Sequence, residues 1–322
     1  MIDSVRLTIS DFDMFKLNMD LINEKNISKK NSLKIIKYKN CELQIYSNSD
    51  NYMLLICNAH TILNKKDIYV SDLKEFERRI KAILNDIILD GNYSISVNRI
   101  DFYSDVFVQD DYTFKLYMKL LQKHRNNFMY CKSKALYKTS KHISTGGSGS
   151  KNFNLYDKYE ERKNKGITGE EREKWKNCIR IELQYKKMYF KNQYKKYGVL
   201  PILDNYWNFD SYKSMYLNVY DKYLYWPSRY YKLSVAKNIV NSSDLTWTLK
   251  KNINKFLSVV NIVGMEDITK YYNRNTIDKF SQILVKELGV CPITLNDNEK
   301  YESLVNLFEL SKQSIKDKGY FN

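Results

Sequence analysis

Proline and glycine are scarce in this chain, at three and ten among 322 residues. That scarcity excludes collagen-like and low-complexity architectures. No apolar run approaches the ~18 residues that a membrane helix requires. The opening MIDSVRLTIS alternates polar and apolar residues and lacks the apolar stretch of a secretory signal. A cytoplasmic protein with no membrane partner is the expectation. Cysteine offers no framework either. Cys41, Cys57, Cys131, Cys178 and Cys291 are scattered, odd in number and without a CxxC pair. Free thiols are expected, not a disulfide scaffold or a zinc cluster.

What is present is a globular balance of 43% hydrophobic and 28% charged residues. The length suits one large core or two modest domains. The net charge of +16, from 53 Lys and Arg against 37 Asp and Glu, favours a polyanionic partner. Each phosphate neutralised by Lys or Arg releases counterions. The 28 tyrosines add flat faces for stacking on bases. An AT-rich genome raises Lys, Asn, Ile and Tyr by codon usage alone, so both signals remain soft.

The first sixty residues read as short strands: SVRLTIS, SLKIIKYK, CELQIYS and NYMLLICN. A helix follows. Asp72 and Glu75 have capping-box spacing, while Leu73, Phe76, Ile80, Leu84 and Ile87 share a face. Asp90-Gly91 marks its end. The strand SISVNRIDFYSDVFV comes next, then a helix over roughly 111 to 124. Residues 127 to 157 suggest a strand meander around GGSGS at 146 to 150. This loop lacks the GK[ST] of a phosphate loop, and it reads as a hairpin turn or a substrate-contacting loop. A helix over YDKYEERKNKG precedes one opened by Thr168 with Glu171 as its capping partner. CIRIELQYK then reads as a strand, followed by a short helix ending at Gly198. Beyond about 201 helical signals dominate. The aromatic stretch 202 to 232 suits core packing or base stacking.

Two strands carry acids between apolar neighbours. Strand side chains alternate between faces. Arg99, Asp101, Tyr103 and Asp105 therefore share one face, and Arg180, Glu182 and Gln184 share another. Such a face is either solvated and laced with Arg–carboxylate pairs or holds a divalent metal on hard oxygen ligands. Between these strands lies KNFNLYDK, in which Asn152, Asn154 and Tyr156 point one way. A tyrosine at a strand end beside Lys158 is a candidate nucleophile. Its hydroxyl, with a reference pKa of about 10, needs activation by a cation or a metal.

The opening MIDSVRLTI, the strand NRIDF, the run YDKYEE and the block IRIELQYKKMYFKNQYKKYGVLP occur in an order that resembles a known family. The resemblance is to the replication endonucleases of filamentous phages, the gene II and gene X proteins, and to rolling-circle plasmid initiators. It spans roughly residues 1 to 205. It implies an α+β fold, an antiparallel sheet with helices packed on one face, followed by a mainly helical C-terminal region. It places a nicking domain over 1–200; the change in residue character near 200 and again near 240 sets off an aromatic-rich helical connector over 201–240 and a helical region over 241–322, either a DNA-binding helix-turn-helix or a plain hairpin. By the same resemblance Tyr156 is the nucleophile, with Lys158 and Glu161 as its motif partners, and Asp101 and Glu182 hold Mg2+ or Mn2+. Tyr185 and Tyr189 are neighbouring rivals. The Arg-Tyr-Glu tyrosine of one plasmid branch is excluded, because Ile181 stands there.

The chain departs from the family in two places. His60, His124 and His142 form no pair flanking one apolar residue, and Lys65-Lys66-Asp67 stands where phage relatives carry Gly-His-Asn. His60 is left as a possible metal ligand or an ordinary histidine. Near the C-terminus, residues 267–272 and 275–290 have the rhythm of a helix-turn-helix or of a plain helical hairpin. The expected function is nicking and rejoining of one origin strand through a 5′-phosphotyrosine. DNA, single-stranded at the nick, is the expected partner, with host helicase and polymerase. Arg99, Lys151, Arg162, Lys163, Arg180, Arg274 and Lys279 are the expected DNA contacts. A non-catalytic origin-binding protein and a conjugative relaxase are the alternatives.

Overall fold

The computed structural model describes residues 2–30, 33–46, 52–65, 68–124, 137–138, 142–144, 150–215, 225, 227–307 and 309–311. The GGSGS turn, apart from Ser150, lies outside the described residues, as do Lys66 and Asp67 and much of the aromatic stretch. The described strands are β1 (Ile2–Ser10), β2 (Asn26–Lys30), β3 (Leu33–Tyr38), β4 (Cys41–Tyr46), β5 (Tyr52–Asn58), β6 (Ser94–Phe107), β7 (Tyr137–Lys138), β8 (His142–Ser144), β9 (Lys151–Asp157), β10 (Cys178–Lys186), β11 (Tyr230–Tyr231) and β12 (Ser303–Leu304). The helices are α1 (Met19–Lys25), α2 (Ala59–Leu63), α3 (Leu73–Ile87), α4 (Asp111–Gln122), α5 (Lys158–Asn164), α6 (Gly169–Glu173), α7 (Lys187–Tyr197), α8 (Leu233–Ser242), α9 (Trp247–Asp267) and α10 (Arg274–Gln282). The protein is thus mixed, an antiparallel sheet plus helices with a helical C-terminal region. Among the described residues no helix is long and apolar enough to cross a membrane.

Packing divides the chain into two compact units, neither continuous in sequence. The first comprises Met1–Tyr103, Ser148–Asn152 and Glu182–Met215; the second comprises Ser104–Gly147, Phe153–Ile181 and Tyr216–Asn322. In the first unit the strands run in the order β2-β3-β4-β5-β1-β6-β10. The pairs β2–β3, β3–β4, β4–β5, β5–β1 and β1–β6 are antiparallel. The alternation in β1 sets the register: Val5, Leu7 and Ile9 are buried, and Leu7 lies opposite Leu55. Cys41 and Cys57 are cross-strand partners and remain free, buried thiols. Helix α3 turns Phe76, Ile80, Ile83, Leu84 and Ile87 inward. Phe76 meets Trp207 at 4.8 Å between ring centroids, and the Trp207 indole N–H donates to the Tyr69 carbonyl at 3.1 Å.

Two capping expectations need correction. Asp72 does not cap α3. Its carboxylate accepts from the Tyr69 amide at 2.8 Å and pairs with Lys65 at 2.5 Å, closing the single turn ahead of the helix. Thr168 makes no side-chain cap at α6 either. A short side chain at a helix start has several backbone donors within reach, and spacing alone does not choose among them.

The second unit holds the strand order β6-β10-β9-β8-β7 and the C-terminal helices. Helix α4 starts where Asp110 accepts from the Thr113 amide at 2.7 Å, and it buries Phe114, Tyr117, Leu120 and Leu121. Helix α9 breaks at Gly264, with φ 76° and ψ 173°. There the Met265 amide donates to the Lys123 carbonyl at 2.7 Å. A Cβ on Gly264 would sit 3.2 Å from that same oxygen. This backbone region is essentially open to glycine alone. Gly264→Ala is therefore expected to destabilise the protein by about 1–3 kcal/mol, read as a lowered urea midpoint. An unchanged midpoint would mean that the break is not a requirement of the fold.

Candidate functional site

The two acid-bearing strands do not present an open polar face. All of β10 from Cys178 to Tyr185 is buried, and so are Asp101, Ser104 and Asp105 of β6. Burying a carboxylate demands a partner, and each of two aspartates has an arginine. In the second unit Arg180 on β10 forks onto Asp105 on β6, Nε to Oδ1 at 2.6 Å and Nη2 to Oδ2 at 2.7 Å. In the first unit Arg99 forks onto Asp101, Nε to Oδ1 at 2.6 Å and Nη2 to Oδ2 at 2.5 Å. The expectation of a solvated face thus identified the Arg–carboxylate chemistry but placed it in the wrong environment.

Asp101 is 1% exposed and also accepts from the Ser4 hydroxyl. Burial pushes its carboxyl up to about 6; Arg99 and Ser4 pull it down, and the charge of Glu182 adds to the rise. Arg99 feels Asp101 through hydrogen bonds and both Glu182 and Asp3 through their charge. Glu182 accepts from the Gln184 amide at 2.5 Å, and Asn152 donates to Gln184 at 3.3 Å. Arg99 is the cation of this acidic group. Both oxygens of Asp101 are engaged, so Asp101 does not fit the role of a metal ligand in this arrangement. Among the described residues no three His, Cys, Asp or Glu side chains are placed to share one ion.

His60 sits in the same unit. Its Nδ1 lies 3.2 Å from the Lys65 carbonyl, and its Nε2 lies 3.1 Å from the Tyr103 hydroxyl and 3.9 Å from Asp3. If Nδ1 carries the proton to Lys65, Nε2 accepts from Tyr103. Lys151, expected as a DNA contact, rests against Tyr185 and Tyr189 at 5.1 and 5.0 Å from their rings. The Tyr185 hydroxyl donates to the Met215 carbonyl at 2.8 Å, so this rival of Tyr156 is a buried structural tyrosine.

Tyr156 belongs to the second unit. It is the penultimate residue of β9, half-buried, with His142 of β8 as its backbone partner. Asp157 then caps α5 by accepting from the Glu160 amide at 3.1 Å. The next residue, Lys158, is only 3% exposed. Its ammonium lies 2.9 Å from Glu161, 5.8 Å from the centre of the Tyr156 ring and 5.6 Å from that of Trp175. Burial lowers its proton affinity, the charge of Arg180 lowers it further, and Glu161 opposes both. Burial raises the Glu161 carboxyl, but Lys165 and Lys158 together hold it below its ordinary value.

Trp175 organises this neighbourhood. Arg162 and Arg180 lie 5.3 and 5.6 Å from its ring, beside Lys158, and Phe107 stacks on it at 6.2 Å. Arg180 is neutralised by Asp105 and Lys158 by Glu161. Arg162 reaches the already engaged Glu161 only at 3.8 Å, and its Nε is buried with no hydrogen-bond partner among the described residues. The cluster therefore holds one donor, Arg162 Nε, without a hydrogen-bond partner among the described residues. Lys163 stands at its edge, 58% exposed and 3.9 Å from Glu160. Trp175 and Ser4 were missed in the sequence, since nothing in their local pattern separates them from packing residues, and Asp105 was placed on the polar strand face without a role of its own.

Tyr156, Lys158, Glu161, Arg162, Lys163 and Arg180 thus belong to one unit, and Arg99, Asp101, Lys151 and Glu182 to the other. Arg274 and Lys279 lie apart in sequence, both exposed on α10. Asn273 caps that helix by accepting from the Thr276 amide at 2.9 Å, and Arg274 reaches Asp278 at 3.8 Å. A pocket of about 400 Å³ beside Gly264, lined by Lys119, Lys123, Asp267 and Glu299 among others, contains none of the residues named from the sequence.

Asp101 also makes stability depend on pH. Its folded value lies above the ordinary 3.8. Folding therefore favours the protonated carboxyl, and its contribution is complete below about pH 3.8 and lost as pH rises through about 6. Asp101→Asn is expected to flatten that part of the profile in urea melts from pH 4 to 7. A variant whose stability keeps the wild-type slope across that interval would exclude the assignment. The chain matches no protein-family model, and no curated protein matches it.

Proposed function

We propose that this protein is a rolling-circle replication initiator that nicks and rejoins one DNA strand, with Tyr156 as the nucleophile. The observation that carries the reading is the buried Lys158 ammonium beside the Tyr156 ring, in a cationic cluster with the spare donor of Arg162. The ordered motifs that resemble phage and plasmid initiators support it, as does the net charge of +16.

In the proposed reaction the Tyr156 hydroxyl attacks a backbone phosphorus. A tyrosine–phosphate bond forms, the bond from phosphorus to the 3′-oxygen breaks, and that oxygen leaves with a proton as a free 3′-hydroxyl. The cation at Lys158 favours the phenolate, since a nearby positive charge stabilises the charged form. Arg162 and Lys163 supply charge to the phosphoryl oxygens, where developing negative charge is best met by fixed donors. Reversal of the same steps rejoins the strand. Helix α10, with Arg274 and Lys279 outward, is the proposed duplex-reading element of the 241–322 region.

The engagement of Asp101 by Arg99 favours a second reading, an origin-binding protein that keeps the fold without cleaving. Incubation with supercoiled origin plasmid and manganese separates the two, because relaxed product requires cleavage. Tyr156→Phe is expected to bind origin DNA normally and to leave no covalent adduct on a nicked oligonucleotide. Lys158→Gln is expected to slow nicking by about 10²–10³-fold. Undiminished nicking by Tyr156→Phe rules out the nucleophile.

A further inference from the structure

Helix α7 is held by very little. Phe190 is its only buried residue, and Lys187, Met188, Lys191, Asn192 and Tyr194–Tyr197 are exposed. From Leu183 to Leu203 the sequence has five lysines and no acid. Lys187, Lys191 and Lys195 recur at intervals of four. Each step advances about 6 Å along the helix and about 40° around it, so the three form one outward ridge. Among the described residues none of them has an ion pair or hydrogen bond. Tyr194 and Tyr197, 53% and 61% exposed, lie together on one side of the ridge. Lys196 lies 5.0 Å over the Tyr197 ring. Glu75 matches Arg78 and Arg79 and Asp86 matches Lys39, whereas α7 contains no carboxylate of its own to pair with its lysines.

We infer that the outward face of α7 is a track for single-stranded DNA, its phosphates on Lys187, Lys191 and Lys195 and its bases against Tyr194 and Tyr197. Charge complementarity points to a polyanion, because an unmatched lysine row retains its full counterion-releasing capacity. The adjoining tyrosines point to unpaired bases, whose faces are open for stacking. An anionic membrane surface fits less well. A helix lying in a bilayer interface turns a broad apolar face outward, whereas the outward face here is lysine and the apolar anchor Phe190 points into the core. The proposal rests on the DNA-handling reading above and extends it to a surface outside the Tyr156 cluster.

The test uses the full chain carrying Tyr156→Phe, fluorescence anisotropy with labelled oligothymidylate and with a duplex of equal length, and vesicles of phosphatidylserine. Combined Lys187→Gln, Lys191→Gln and Lys195→Gln is expected to weaken single-strand binding about 10- to 100-fold and to reduce the salt slope by about two. Tyr194→Ala and Tyr197→Ala are each expected to cost about fivefold or more on the single strand and little on the duplex. All five side chains are exposed, so matched thermal midpoints verify the fold. Unchanged single-strand affinity in the lysine variant overturns the track but leaves the DNA reading standing. Equal losses on duplex and single strand overturn the single-strand assignment, and so does stronger, lysine-dependent binding to the vesicles. Failure of the parent chain to bind either DNA overturns both proposals.

Discussion

Two guanidinium–carboxylate forks, each on a buried aspartate, set the character of this protein. Arg180 on Asp105 ties β10 to β6 within one unit, and Arg99 on Asp101 closes a buried polar group within the other. A charged pair removed from water gains little net stability over apolar packing, yet losing one partner costs about 3–5 kcal/mol because the other charge is stranded. The forks therefore constrain the fold more than they stabilise it. Any register of β6 against β10 that moved Arg180 off Asp105 would bury two bare charges. Arginine suits this duty because its planar fork satisfies both carboxylate oxygens and sheds water more readily than an ammonium.

Much of the fold could be read from periodicity. The alternation in SVRLTIS, CELQIYS and NYMLLICN placed β1, β4 and β5 within a residue or two of their observed ends, and the apolar spacing of Phe76, Ile80, Leu84 and Ile87 placed α3. These elements have one buried side each, and that asymmetry is written directly into residue order. Strand β2, NISKK, was not legible, because its residues carry little apolar alternation and it pairs only with β3 among the described strands. The short helices α1 and α2 were missed for a related reason, since one or two turns give too few positions to establish a period.

The candidate site was legible only in part. Alternation correctly grouped Arg99 with Asp101 and Glu182 with Gln184, since side-chain direction along a strand is local information. What covers a face is not local. Nothing within CIRIELQYK tells that both of its faces are buried, or that Arg180 chooses Asp105, seventy-five residues away, over Glu182, its neighbour on the strand. Trp175 illustrates the same limit. Its role comes from the convergence of Lys158, Arg162 and Arg180 on one ring, and these come from α5 and β10, between which α6 intervenes in sequence.

The division of labour between the two basic residues gives the Tyr156 neighbourhood its weight. The forked arginines pair with buried carboxylates, while the lysines of α7 stand in water, as the stronger hydration of an ammonium dictates. Lys158 breaks that pattern, being the only lysine in the buried class among the described residues. Its desolvation is opposed by one carboxylate, Glu161, and reinforced by the like charge of Arg180. A structural cation at that position would gain by being arginine or by lying further from Arg180. The ammonium lies between the Tyr156 and Trp175 rings, and desolvation is what strengthens its field there. The tyrosine motif comes from residue order and the burial of its lysine from packing, and both fall on the junction of β9 with α5.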